Sequence, residues 1–170
     1  MNNVYLSLGS NLGNRILNLQ KTLELVSENI GDIKSIGALY ETEPWGFKTD
    51  NWFINTAIEI ETNLNPLELL HECLSIEIKL GRKRNNKEAG YSSRPIDIDI
   101  LFFNREIIHS SNLIVPHEHL HKRKFVLAPL NDIASNFIHP SLNQSINILL
   151  ENCFDKMKLI KTDTKLNIKI

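Results

Sequence analysis

The chain has almost no net charge, two cysteines and no long apolar run, and each shortage excludes a class of function. With 19 basic against 20 acidic side chains the formal charge is −1. That argues against a general nucleic-acid binder, whose affinity comes from neutralising phosphates. No N-terminal stretch combines a charged start with an apolar h-region, and no apolar run nears the ~18 residues of a membrane span. The expectation is a cytoplasmic protein with no membrane or nucleic-acid partner. There Cys73 and Cys153 read as reduced thiols, and the Asn143-Gln144-Ser145 sequon is inert. Internal repeats are missing. The glycines make no standard nucleotide cradle either: Gly9-Ser10-Asn11-Leu12-Gly13-Asn14 lacks the lysine and hydroxyl residue of a P-loop, and its glycine spacing is wrong for a dinucleotide. Its expected work is a tight turn, with Asn11 bonding neighbouring loops.

At 170 residues, 42% hydrophobic and 23% charged, the chain is expected to form one domain over residues 1–170 with a real core. Its positive residues clump. Lys79, Arg82, Lys83, Arg84, Lys87 and Arg94 form one group, and Lys122, Arg123 and Lys124 another. On a neutral chain such clumps suit a small anionic ligand, or simply a solvated face.

The densest signal is Arg94-Pro95-Ile96-Asp97-Ile98-Asp99-Ile100-Leu101-Phe102-Phe103. On a strand, alternation puts Asp97 and Asp99 on one face, about 7 Å apart at ~3.3 Å per residue, with Ile96, Ile98 and Ile100 on the other. Two carboxylates so close repel and raise a pKa unless a cation sits with them, and a hard divalent ion resolves the conflict. The competing reading is an edge strand whose Asp residues face water and discourage edge pairing. Arg94 has the opposite parity, so a role beside the pair requires the strand to begin after it.

The rest of the chain reads as alternating strands and helices. Val4–Leu8 is a buried strand, followed by a helix with Ile16, Leu19, Leu23, Val26 and Ile30 on one face, ended by Gly31. Residues 33–40 are expected as a second strand and Glu41–Asn51 as a loop carrying Trp45. In the strand 52–62, Ile54, Ile58 and Ile60 share one face, with Phe53, Asn55, Ala57 and Glu59 on the other. Phe53 with Asn55 suits a flat heterocycle, or ordinary packing. Asn65, Pro66 and Glu68 predict a capped helix start, and Gly81 its end. Its stripe is read as Leu67, Leu70, Leu74 and Ile78, joined by Leu69, Cys73, Ile76 and Leu80. Glu77 among them is either aimed into a cleft or solvent-facing.

Residues 82–95 are polar and basic, which predicts a mobile loop. A turn at Asn104-Arg105, a return strand over 106–109 and a strand at Leu113–His117 follow. His117, His119 and His121 alternate as a zinc-binding strand face would, but Pro116 and Lys122-Arg123-Lys124 oppose that. Helical turns are expected near Asn131–Ser135 and Ser145–Asn152. Leu166, Ile168 and Ile170 alternate with polar residues, which predicts an added strand in a tail over 156–170.

Seven segments in register resemble the 6-hydroxymethyl-7,8-dihydropterin pyrophosphokinase family, over residues 4 to about 155. They are Gly9-Ser10-Asn11-Leu12-Gly13, Tyr40-Glu41-Thr42-Glu43-Pro44-Trp45-Gly46, Phe53-Ile54-Asn55, Gly81-Arg82-Lys83-Arg84, Arg94 to Leu101, Val115-Pro116-His117, and Arg123 to Leu130. The resemblance implies an α+β fold, a ferredoxin-like core of mostly antiparallel sheet with helices packed on it in three α/β/α layers, and three mobile active-site loops. It implies transfer of pyrophosphate from ATP to the pterin hydroxymethyl group with release of AMP, by a monomer in folate biosynthesis.

By matching position, Asp97 and Asp99 hold two Mg2+, and Arg82 and Arg94 assist transfer. Glu77, Arg84, Tyr91, His117 and Arg123 meet ATP, with Ile100, Leu113 and Ile114 near adenine. Thr42, Glu43, Pro44, Trp45, Phe53, Asn55 and Phe125 receive the pterin. The chain departs from the family's common pattern at Tyr91-Ser92-Ser93, Phe53, Asn85 and Glu43. A non-catalytic, nucleotide-binding regulatory module of the same fold is the alternative from another class.

Overall fold

The computed structural model describes residues 1–44, 50–82 and 93–167. Its centre is an antiparallel sheet: β1 (Asn2–Ser10) and β4 (Phe53–Thr62) pair over their whole length, and β5 (Asp97–Phe103) lies along the other side of β1. Beyond β4 come β2 (Asp32–Ile36) and β3 (Tyr40–Thr42), both paired to β4 but at different heights; β6 (Ile108–His109) and β7 (Ile114–Val115) pair with each other, and β8 (Leu159–Lys161) pairs with β3. Helices α1 (Arg15–Asn29) and α2 (Pro66–Lys79) cover one face. On the other face lie α3 (Lys124–Ala134) and α4 (Ile146–Glu151). This strand and helix order, with β1 and β4 central, is the expected ferredoxin-like, three-layer arrangement.

Alternation builds both cores from the same strands. Leu6, Leu8, Ile54, Ile58, Ile60, Ile98 and Ile100 pack with Leu19, Leu23, Val26, Leu69, Cys73 and Ile76. Tyr5, Ala57 and Phe102 pack with Val126, Leu127, Leu130 and Leu149 on the opposite side. Strict alternation fails at one place in β5. Leu6 pairs with Ile100 and Tyr5 with Phe102, so Leu101 is an extra residue. This bulge puts Leu101 and Phe102 together in the second core and returns Phe103 to the first.

Several expectations change here. The strand foreseen over 33–40 is two strands, because the chain breaks at Gly37, whose N–H donates to Ala57 O at 2.8 Å and whose carbonyl accepts from Thr56 Oγ1 at 2.9 Å. A Cβ at Gly37 would lie 2.4 Å from the Pro129 carbonyl oxygen. Gly37→Ala is therefore expected to cost about 1–3 kcal/mol, as a backbone-limited overpacking, measured by urea unfolding.

Helix α2 has its predicted start: Asn65 Oδ1 accepts from Leu67 and Glu68 N–H at 3.0 and 3.1 Å, and Glu68 Oε2 accepts from Asn65 N–H at 2.8 Å. Its buried stripe is Leu69, Cys73, Ile76 and Glu77, while Leu67 and Ile78 are exposed. The two stripes differ by one helix flank, and periodicity alone could not choose between them. Helix α3 starts seven residues earlier than Asn131, with the buried Pro129 inside it. Proline lacks the N–H of an interior helical position, and burial of α3 against the sheet holds the helix together across it. The tail's strand is Leu159–Lys161 rather than the alternating stretch from Lys165 onward, where Leu166 and Asn167 lie outside any strand. Ile168 and Ile170 lie outside the described residues.

His139, 4% exposed, accepts N–H bonds from Ser141 and Leu142 at its Nδ1, each at 3.2 Å, and meets Phe102 edge-on at 5.4 Å. Burial, aided by the His121 charge, pushes its pKa down to about 4. Its folded pKa lies below the unfolded value, so its contribution is complete above about pH 6.5 and falls as pH drops toward 4. The loss is about 3 kcal/mol. Urea midpoints at pH 7 and 4.5 should show it, and His139→Asn, which keeps an acceptor that cannot protonate, should flatten the dependence.

Both cysteines are free thiols, and among the described residues no helix is long and apolar enough to cross a membrane.

Candidate active site

Strand register assembles the floor. Gly9 on β1 lies between Asp97 on β5 and Asn55 on β4, Ser7 pairs with Asp99, and Thr42 on β3 pairs with Phe53. Gly9 has no side chain, which keeps the row open: a Cβ there would sit 2.5 Å from Asn55 Oδ1. Asn55 Nδ2 donates to Thr42 Oγ1 at 2.7 Å, which fixes the amide against the wall of a narrow cavity. Thr42, Glu43, Phe53, Asn55 and Phe125 line it, with Ser7 and Gly9 beneath. Arg94, Asp97, Asp99 and Arg123 close one side and also line a second, open cavity of about 740 Å³. That cavity runs between α2 and the segment 110–123, past Glu77, Arg82, Ile100, Leu113, Ile114 and His117.

The charged groups are cross-linked. Asp97 Oδ2 pairs with Arg94 Nη2 at 2.9 Å, and Asp97 Oδ1 with Arg82 Nη1, which also pairs with Glu77 Oε1. Glu77, 1% exposed, accepts the Ile98 N–H at 2.9 Å. Its backbone partner explains why a carboxylate belongs on the buried flank of α2, and the solvent-facing alternative is excluded.

Asp99 is raised well above the usual carboxylate range, first by burial in the cleft and then by the Asp97 charge, against the opposing pull of Arg123 and Arg94. Its neighbour His117 has Nε2 3.9 Å from Asp99 Oδ2, while its Nδ1 accepts the His119 N–H at 3.1 Å. Burial, then the Arg123 charge, pushes His117 down to about 4. It is thus neutral near pH 7 and carries its proton on Nε2, as a donor facing the cleft.

Arg94 settles a parity conflict. Strand β5 begins at Asp97, and Arg94 sits on the preceding loop, where its N–H donates to Asn11 Oδ1 at 2.8 Å and its carbonyl accepts from Asn11 N–H at 3.2 Å. Asn11 Nδ2 also reaches Ser93 Oγ at 3.1 Å and Asn51 O at 3.3 Å. The glycine-rich turn therefore ties two loops to the sheet, as its composition predicted. Free of strand alternation, Arg94 turns its guanidinium to Asp97 and lies over the Phe53 ring at 5.8 Å.

Of the residues foreseen for the site, Arg82, Arg94, Asp97, Asp99, Glu77, Ile100, Leu113, Ile114, His117, Arg123, Thr42, Glu43, Phe53, Asn55 and Phe125 converge on the two cavities. Pro44 follows Glu43 but is not among the lining residues. Trp45, Arg84 and Tyr91 lie outside the described residues, as do Lys83, Asn85 and Lys87. Sequence reasoning missed Ser7 and Gly9 as floor residues. Their signal was parity on β1, legible only once β1 is known to neighbour β5. It also missed Leu67, Leu70, His71 and Leu74 as the α2 wall.

The three alternating histidines do not share a strand face. His121 lies in a 3-10 turn (Leu120–Lys122), and the His117 and His119 rings are 6.0 Å apart and inclined at 66°. Among the described residues no group of three or more His, Cys, Asp or Glu could hold a metal ion. Asp97 and Asp99 supply two hard oxygen donors, a set that suits a divalent ion whose other ligands are phosphate oxygens and water.

A family model described as 7,8-dihydro-6-hydroxymethylpterin-pyrophosphokinase matches residues 5–135. The chain is 44% identical over 135 residues to the 2-amino-4-hydroxy-6-hydroxymethyldihydropteridine pyrophosphokinase of Bacillus subtilis, covering 78% of this chain and 79% of that one. With the enzyme of the same name from Porphyromonas gingivalis it is 41% identical over 138 residues, 81% of this chain and 93% of that one. Among solved structures, wild-type Plasmodium falciparum HPPK-DHPS with STZ-DHP superposes with a TM-score of 0.72 at 21% identity. The alignment covers 88% of this chain, which spans 43% of that longer one, and at that identity it supports the fold alone. The relatives lend no support to a non-catalytic regulatory module.

Proposed function

The chain belongs to the 7,8-dihydro-6-hydroxymethylpterin-pyrophosphokinase family, and we propose that its cleft transfers pyrophosphate from ATP to the hydroxymethyl group of 6-hydroxymethyl-7,8-dihydropterin, releasing AMP, in folate biosynthesis. The observation that carries this reading is the meeting of two unlike cavities at one set of charges. The narrow one, with Phe53, Phe125 and the Asn55 amide, suits a flat heterocycle. The open one, with Arg82, His117 and Arg123, suits a polyphosphate, and Asp97, Asp99 and Arg94 belong to both.

Asp97 and Asp99 would hold two Mg2+ accompanying ATP. Bound there, Mg2+ supplies charge neutralisation at the phosphates and lowers the pKa of the attacking hydroxyl. Asp99 fits that role because its ionised form is destabilised by burial and by Asp97, which is the condition a bound cation relieves. Arg82 and Arg94 bring planar guanidinium forks, matched to non-bridging phosphate oxygens, and here hold Asp97 in place. Neutral His117 can donate to phosphate without adding charge.

Glu77 orders the Arg82 end of the cleft from below. Exposed Leu67 with half-buried Leu70 and Leu74 gives adenine an apolar wall. Much of the catalysis is then positioning and charge neutralisation rather than covalent work by the protein. The whole chain is proposed to act as one domain and as a cytoplasmic monomer.

The direct test is ³¹P NMR of protein, Mg-ATP and the dihydropterin. AMP should appear together with a pterin diphosphate. ADP would instead mark an ordinary kinase, and unchanged ATP a binding module. A second test addresses the floor: Gly9→Ala pushes a methyl group toward Asn55 Oδ1 and should raise the pterin KM by roughly tenfold, the effect of ~1.4 kcal/mol, with the ATP KM little changed.

A further inference from the structure

The segment Asp155–Thr162 lies beyond the family match, which ends at residue 135, yet it is bonded to both walls of the narrow cavity. On one side Asp155 Oδ2 accepts the Lys124 N–H at 3.0 Å, and its Oδ1 accepts the Met157 N–H at 3.0 Å. Lys124 opens α3, and Arg123, which stands at its N-cap position, makes no side-chain cap bond. Asp155 therefore caps from a distance the turn that carries Arg123 and Phe125, with its negative charge at the favourable end of the helix.

On the other side β8 pairs with β3 in the register Thr42↔Leu159, Glu41↔Ile160 and Tyr40↔Lys161. Past that ladder the Lys158 N–H donates to Glu43 Oε2 at 3.1 Å, and Lys158 O accepts the Glu43 N–H at 3.3 Å. Further along, Thr162 N–H donates to Leu39 O at 2.8 Å, and Lys161 Nζ lies 3.2 Å from Asp132 Oδ1 on α3. Tyr40 Oη donates to the other oxygen of Asp132 at 3.0 Å. The segment thus fastens β3, with Thr42 and Glu43, to α3, with Phe125, and β3 is only three residues long.

We infer that residues 155–162 form a positioning strap for the pterin side of the cleft, setting the distance between the Thr42–Glu43 edge and the Phe125 wall. This rests on the pterin reading of the narrow cavity. Among the described residues, the bonds and strand pairs of the strap given above go to Lys124, Asp132 and β3 with its flanks rather than to residues that line the open cavity, so it should govern one substrate and spare the other. Asp155 and Lys158 are positioning residues and act through Lys124 and Glu43.

The test uses the full chain with Asp155→Ala, Asp155→Asn and Lys158→Pro, the last removing the N–H that Glu43 accepts together with the lysine side chain, whose own effect Lys158→Ala measures. Asp155→Ala and Lys158→Pro should each raise the pterin KM roughly tenfold, as the loss of one cap or one charge-assisted bond would. The ATP KM and kcat should stay within about twofold, and Asp155→Asn, which keeps an acceptor oxygen, should recover most of the effect. Unchanged pterin KM in both, or a parallel rise for both substrates with a lowered Tm, would overturn the strap as a positioning device. Failure of the unaltered protein to form AMP would instead overturn the pterin reading beneath it.

Discussion

Asp97→Asn and Asp99→Asn should each cut turnover by ~10³ or more, the scale of losing a main electrostatic stabiliser, while moving stability in opposite directions. Asp99 is raised above its ordinary value by burial and by Asp97. A carboxyl whose folded pKa exceeds its unfolded one weakens the fold as pH rises from about 4 through its folded value. At pH 7.5, without nucleotide, Asp99→Asn removes that penalty. The group keeps 35% of its side chain exposed, so the gain is discounted for solvent. A rise in Tm of about 2–4 °C, or ~1 kcal/mol, is the expected size.

Asp97 is the reverse case: it neutralises Arg82 and Arg94 at once. Its amide would weaken both pairs and cost about 2 kcal/mol. Scanning calorimetry beside an AMP-release assay reads both effects. Near-normal turnover in either variant would remove the metal role, and equal destabilisation of the two would remove the electrostatic account.

Glu77→Ala carries the largest expected stability loss, about 3–5 kcal/mol, because in one step it orphans a buried N–H and takes one of two carboxylates from Arg82. The Ile98 N–H loses its side-chain acceptor, and Arg82 keeps only its Asp97 contact among the pairs described above. A domain of this size should lose roughly 10 °C in Tm at 2–4 °C per kcal/mol. Glu77→Gln retains an acceptor for the Ile98 N–H and should lose less than half as much. Hydrogen exchange at the Ile98 amide localises the effect: protection there should collapse in the Ala variant and survive in the Gln variant. A Tm for Glu77→Ala within 2 °C of the parent would show that the carboxylate is not what orders this edge of β5.

The pairing of Asp97 with Asp99 was legible from spacing, since a period of two admits only one face for both. So were the α2 cap at Asn65 and the Phe53 and Asn55 face of β4, because cap chemistry and alternation are local rules. Glu77 was not, since a helical periodicity that tolerates two overlapping stripes cannot say which flank meets the sheet. The early start of α3 was not legible either: Pro129 has a real local cost inside a helix, and burial of α3 outweighs it.

What the sequence by itself determined is the set of chemical groups and the local faces on which they stand: two carboxylates, two clusters of cations, an aromatic beside an amide, and the turn at Asn11. Only the tertiary structure decided which faces meet. Register put Gly9 between Asp97 and Asn55, the loop before β5 turned Arg94 against strand parity, and β8 tied the tail to β3. The physical reason is range. Cap, turn and alternation rules act within a few residues, whereas strand partners and helix flanks are chosen by burial between segments tens of residues apart. The Asp97–Asp99 pair became a site because β1 and β4 brought a substrate-sized cavity to its side.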